Sequence, residues 1–131
     1  MNSRFFIVIL CSLLTGQCSQ KADSPRFVIS FTQELSDKAQ DGRLLLLLAN
    51  NDKSEPRFQI TDGLSTQLVF GIDVDGIKPG QEITIDETAF GFPKRSVSDI
   101  PAGEYFVQAL LNRYETFNLK TGHAVKLPPD Q

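Results

Sequence analysis

Arg43-Leu44-Leu45-Leu46-Leu47-Leu48-Ala49 is the stretch on which the fold turns. Leucine is a strong helix former, so propensity alone favours a helix here. Length decides against it. The apolar run is only six residues long, with Asp41-Gly42 before it and Asn50-Asn51-Asp52 after it. A helix that short is marginal, whereas a strand covered on both faces needs a continuous apolar run of this kind. The run therefore predicts a central β-strand. Asp41-Gly42 predicts a turn that closes the polar connection Leu35–Gln40.

Outward from this run, short apolar segments alternate with turn signals. Arg26–Phe31 places Phe27, Ile29 and Phe31 on one face, and Arg57–Ile60 alternates briefly behind Pro56. Thr66–Asp73 precedes a Gly- and Pro-rich turn, and Gln81–Asp86 points Ile83 and Ile85 inward. Glu104–Leu111 is the longest candidate strand, with extended chain predicted from Tyr114 to Leu119. Ala124–Leu127 ends at Pro128-Pro129. No long segment has a helical period. About seven short strands with Gly and Pro between them predict an all-β fold, an immunoglobulin-like antiparallel β-sandwich. Asp99-Ile100-Pro101-Ala102-Gly103-Glu104-Tyr105-Phe106-Val107 sharpens that reading. It has the rhythm of a tyrosine corner, with the Tyr105 hydroxyl bonding back to the preceding connection and Val107 filling the core.

The N-terminus reads as an export signal. Arg4 supplies the charge, Phe5–Leu14 the apolar stretch, and Thr15-Gly16-Gln17-Cys18 the small and polar exit. The stretch is far short of the ~20 residues that cross a hydrocarbon core. Residues 1–18 are thus expected to be a signal peptide and residues 19–25 a polar tether. Leu14-Thr15-Gly16-Gln17-Cys18 resembles a lipoprotein box, with Cys18 as the site of lipid attachment, although Thr15 stands where an apolar residue is usual. Ordinary cleavage after Cys18 is the alternative. Either outcome places the protein outside the cytoplasm, with membrane contact only through the signal or a lipid anchor.

Residues 26–131 are expected to form the β domain. Without the leader the chain has 12 basic and 16 acidic residues, a net charge of −4. Its basic residues are scattered, Lys94-Arg95 being the only adjacent pair, so no nucleic-acid partner is implied. Both cysteines, Cys11 and Cys18, lie in the leader, which leaves the β domain to be held together by apolar burial. No catalytic, cofactor or metal residues are assigned. His123 is the only histidine and follows a Thr-Gly turn, and the Gly-x-Ser-x-Gly elbow is absent. Asp73-Val74-Asp75-Gly76 has the look of a calcium loop, but Lys78 and Pro79 interrupt it and a solvated turn accounts for the same residues. Gly71, Gly76 and Gly80 lack the Lys-Ser/Thr end and the helix of a phosphate cradle.

The segment Asp99–Phe117, followed by Gly122-His123-Ala124-Val125-Lys126-Leu127-Pro128, resembles the N-terminal β domain of bacterial exported esterases related to enterochelin esterases. Asp41-Gly42-Arg43-Leu44 and Phe90-Gly91-Phe92-Pro93 extend that resemblance over most of residues 26–128. In that family an α/β-hydrolase domain follows. Here Pro128-Pro129-Asp130-Gln131 reads like the start of a linker, so either the sequence is a fragment or the gene has lost its enzyme. The resemblance implies a hydrolase context and carries over no catalytic residue. The expected role is that of a non-catalytic exported accessory domain with a hydrolase domain or protein as its partner. The alternative is a free-standing envelope binding module for a glycan or peptide.

Overall fold

In a computed structural model, residues 24–129 are described; the expected signal peptide, Cys18 and most of the tether lie outside them. The described residues are all-β, without an α-helix. Eight strands are present: β1 (Phe27–Ile29), β2 (Gln40–Ala49), β3 (Leu68–Ile77), β4 (Ile83–Ile85), β5 (Phe90–Phe92), β6 (Phe106–Arg113), β7 (Glu115–Asn118) and β8 (Ala124–Leu127). They form a four-stranded antiparallel sheet in the order β5-β3-β2-β6, a two-stranded ribbon β1-β4 and a hairpin β7-β8.

The leucine run is the interior of this arrangement. β2 pairs with β3 on one side and β6 on the other, from Gly42 to Ala49, so its backbone groups are satisfied along both edges. Alternate side chains then divide between two faces. Leu44, Leu46 and Leu48 join Leu68 and Phe70 of β3 in the buried core, and Phe27, Ile29, Ile83 and Ile85 of the ribbon pack against them. The other face is covered at one end by a 3-10 turn, Pro56–Gln59, which lies over β2 with Pro56 buried. Leu47 and Ala49 are buried there, while Leu45 is half-exposed. This explains why a strand tolerates five consecutive leucines: both of its faces have cover over half its length.

Several local expectations are corrected. Arg57–Ile60 is not a strand; Pro56 sits at the first position of a 3-10 turn, where its missing N–H costs nothing. The Gln59 side chain donates to the Ser54 and Asn51 carbonyls at 2.6 and 3.2 Å, which holds that turn closed. Asp41-Gly42 is not a turn but lies within β2. Nor does Asp73–Gly76 form a solvated turn, because β3 continues through it to Ile77. The register slips there, with Gln40 opposite Ile77 and Gly42 opposite Val74, so β3 carries one extra residue. Gly76 takes φ +62°, the left-handed conformation that such a bulge asks of a glycine. The Asp41 carboxylate accepts the Gly76 N–H at 2.6 Å and closes the bulge.

Phe90–Phe92 forms a strand that the sequence did not suggest. It pairs with β3 through Gly91 opposite Phe70. A Cβ at Gly91 would overlap the Phe70 ring, so the small residue lets β5 lie over the largest fully buried side chain. Val107 is also corrected. Its expected core position is instead 53% exposed, whereas Leu111, on the same face farther along β6, packs against the core.

The register makes a quantitative prediction. Leu46→Ala removes a side chain only 1% exposed and should cost about 2–5 kcal/mol, measured by urea unfolding. Leu45→Ala, one residue away on the half-exposed face, should cost less than half as much. Equal losses at the two positions would contradict the assigned faces.

Candidate functional site

The inner side of β6 borders an open cleft of about 400 Å³. Its walls are Ala109, Leu110, Leu111 and Arg113 of β6, Ile29–Phe31 at the end of β1, and Leu44, Ile77 and Ile83 beneath. Ser30, Ser36, Gln40, Gln81 and Arg113 supply its polar groups. The Gln40 amide is held by the Ser36 hydroxyl at 2.9 Å and the Lys38 carbonyl at 3.2 Å. Gln81 accepts the Lys78 N–H at 3.1 Å and is fixed by the Lys78–Gln81 turn. Arg113 forms no ion pair among the described residues. The cleft exists because the ribbon has two strands and the sheet below it has four.

The opposite face of the four-stranded sheet is open where the 3-10 turn does not cover it. Cross-strand pairing sets Phe92 beside Val69 and Leu47, and Phe90 beside Gly71, Leu45 and Leu110. Phe90 is 67% exposed, Phe106 53%, Phe92 39% and Leu110 36%. Phe58 of the 3-10 turn is exposed as well, with the Arg57 guanidinium 4.6 Å from its ring centre.

Polar chemistry is concentrated where β2 and β3 meet the β7-β8 hairpin. Lys126 of β8 pairs with Asp41 at 2.9 Å and with Asp75 at 2.6 Å. The Lys126 hydrogen bond and the Gly76 N–H together hold the Asp41 carboxyl down at about 2. Asp75 and Asp41 in turn raise the Lys126 ammonium above its usual range. A second cluster lies alongside: Arg43 pairs with Asp73 at 3.0 Å, and the Tyr114 hydroxyl donates to the same carboxylate at 2.9 Å. That bond to Asp73, with burial and the carboxylate charge behind it, raises the Tyr114 hydroxyl pKa. These carboxylates are engaged by cations of the chain itself, and among the described residues no group of three His, Cys, Asp or Glu side chains is placed to hold a metal ion.

The remaining sequence candidates are scattered. The Tyr105 hydroxyl donates to the Pro101 carbonyl at 2.9 Å, which ties the start of β6 to the connection before it. His123 is exposed after Gly122 in the β7-β8 turn, where its carbonyl accepts the Leu119 N–H at 2.8 Å. It lies outside the cleft lining. Gly71 is buried in β3, whereas Gly76 and Gly80 sit in a bulge and a turn at φ +62° and +77°. Lys94 and Arg95 are exposed in the connection after β5. The cleft residues were not identified from sequence, because only strand register brings β1 and β6 to one opening. Among the described residues no helix is long and apolar enough to cross a membrane. Comparison with protein-family models, curated proteins and solved structures gives no match in any of the three.

The Asp41 cluster predicts a pH dependence with a definite sign. A carboxyl depressed from 3.8 to about 2 contributes stability that is complete above its unfolded value and is lost as pH falls through its folded value. The hairpin should therefore stay docked at pH 4 and loosen as pH approaches 2. Carboxyl NMR should give Asp41 a midpoint of about 2. A midpoint at the ordinary 3.8 would contradict the Lys126 contact in solution.

Proposed function

We propose that the chain is an exported, non-catalytic accessory domain of immunoglobulin-like architecture that binds an α/β-hydrolase domain or protein. The observation that carries this reading is the apolar outer face of Phe90, Phe92, Leu45 and Leu110. Clustered exposed aromatics of this kind mark interaction surfaces, since leaving them in water forgoes roughly 25 cal/mol for each Å² of apolar area. The hydrolase as partner, and the immunoglobulin-like arrangement of the strands, rest on the resemblance carried by residues 99–128. The Tyr105–Pro101 bond supports that arrangement, as it reaches back along the chain in the manner of a tyrosine corner.

The non-catalytic reading is supported by the sequence, which lacks the Gly-x-Ser-x-Gly elbow. Ester hydrolysis needs an activated nucleophile, a base within hydrogen-bond reach and oxyanion donors. His123 has no hydroxyl or thiol nucleophile among its side-chain hydrogen bonds in the described residues. The alternative, a free-standing envelope module for a glycan or peptide, is favoured by one feature, the cleft with its amide and hydroxyl groups along β6.

Purified protein should hydrolyse activated esters no faster than its His123→Ala variant. It should bind a hydrolase domain from the same genome, one encoded beside it and carrying Gly-x-Ser-x-Gly, in a calorimetric titration. Phe90→Ser with Phe92→Ser should weaken that binding about tenfold or more, because aromatic anchors dominate interface energy. Turnover that disappears with His123→Ala would overturn the non-catalytic role. Tight glycan binding, without hydrolase binding, would decide for the free-standing module.

A further inference from the structure

We infer that β6 is a strand-acceptor edge, which takes an extended polypeptide segment with alternating apolar residues and an acidic residue at the Arg113 end. This rests on the binding role proposed above but uses a different surface from the phenylalanine face. Two independent observations carry it.

The first is the contrast between the two edges of the four-stranded sheet. An edge strand displays unpaired N–H and C=O groups, and proteins blunt such edges by keeping them short or by adding proline, bulges or charge. β5 is blunted: it has three residues, a central glycine and Pro93 directly after it. β6 is not. It runs eight residues from Phe106 to Arg113 without proline and without a register slip against β2. Arg113, at its very end, is its only charge. Among the described residues no strand pairs with its outer edge.

The second observation is the cleft beside that edge. Neighbouring residues of a strand point to opposite faces, yet Ala109, Leu110 and Leu111 all line the opening. Three in a row border one cleft where it reaches the strand's edge. Ile29, Ser30 and Phe31 do the same across the opening. A segment laid along β6 would continue the backbone ladder and drop alternate side chains toward Leu44, Ile77 and Ile83. Main-chain pairing gives such a complex its affinity and the sockets give it selectivity. Arg113, without an ion pair among the described residues, supplies the preference for an acid at one end.

The test uses capped synthetic peptides of about eight residues, alternating valine and threonine and ending in glutamate, titrated into the isotope-labelled protein. Amide shifts should be confined to Phe106–Arg113 and Ile29–Phe31. Methylating alternate backbone nitrogens on the pairing side of the peptide should weaken binding by about tenfold or more, since it removes the ladder donors. This arm needs no protein variant, so it stands even if a variant misfolds. Ala109→Lys should abolish binding. Arg113→Glu should weaken the glutamate peptide and bind its lysine-tipped counterpart better. No shift at millimolar peptide, or equal binding of methylated and unmethylated peptides, would overturn the inference. Self-association that Ala109→Lys abolishes, without peptide binding, would overturn it in favour of a second copy of the chain. Shifts centred on Phe90 and Phe92 would overturn the β6 site while leaving the proposed docking role intact.

Discussion

Leu44, Leu46 and Leu48 stand on one face of β2 and must be kept from water together with Phe70 of β3. Burying each such side chain is worth roughly 1.5–3 kcal/mol, and no disulfide is available within the described residues to substitute for that burial. The β1-β4 ribbon exists in this structure to cover that stripe. Its inward residues Phe27, Ile29, Ile83 and Ile85 complete the core, while Val28 and Thr84 on its other side are exposed. The connections follow suit: Ala89 and Val97 close the core from the loops that flank β5.

The same economy explains where the molecule is left open. A ribbon of two three-residue strands covers the middle of a four-stranded sheet and no more. β6 is thus paired along one edge, bordered by a cleft on one face and carries exposed Phe106 and Leu110 on the other. Beyond Tyr114 the chain leaves the sheet altogether and forms the β7-β8 hairpin, whose side chains are nearly all exposed. Polar contacts tie that hairpin down, through Lys126 to Asp41 and Asp75, with the neighbouring Tyr114–Asp73 bond fixing the chain as it leaves β6. The core and the hairpin are therefore secured by different physics, and they should respond differently to acid and to core substitution.

Much of the strand pattern was legible because burial leaves a period in the sequence. The leucine run and the Ile83-Thr84-Ile85 alternation were read as strands and are strands, and the strand expected at Glu104–Leu111 is β6 at Phe106–Arg113. The misreadings share one cause, since they concern residues whose conformation is set by distant partners. Asp41-Gly42 reads locally as a turn, yet Gly76 and Lys126, far along the chain, hold Asp41 inside β2. Phe90-Gly91-Phe92 gives no strand signal of its own, and its place beside β3 depends on Gly91 leaving room for the Phe70 ring. Arg57–Ile60 is too short for its alternation to outweigh Pro56. Val107 alternates correctly but lies at the exposed end of β6, away from Leu111, which packs against the core. For the cleft, sequence offered nothing: Ile29, Gln81 and Ala109 share no motif and meet only through register.

Native-state hydrogen exchange across the backbone tests the central claim most directly, that the Leu44–Leu48 stripe and Phe70 hold the fold while the hairpin is a separately secured appendage. The amides of β2 and β3 that pair in the sheet should exchange only through global unfolding, with the free energy obtained from urea denaturation. Those of Phe117 and Val125 should exchange through a smaller local opening that grows as pH falls toward the Asp41 midpoint. Equal protection of the hairpin and β2, or exchange of the Leu46 and Phe70 amides well below the global free energy, would contradict the account.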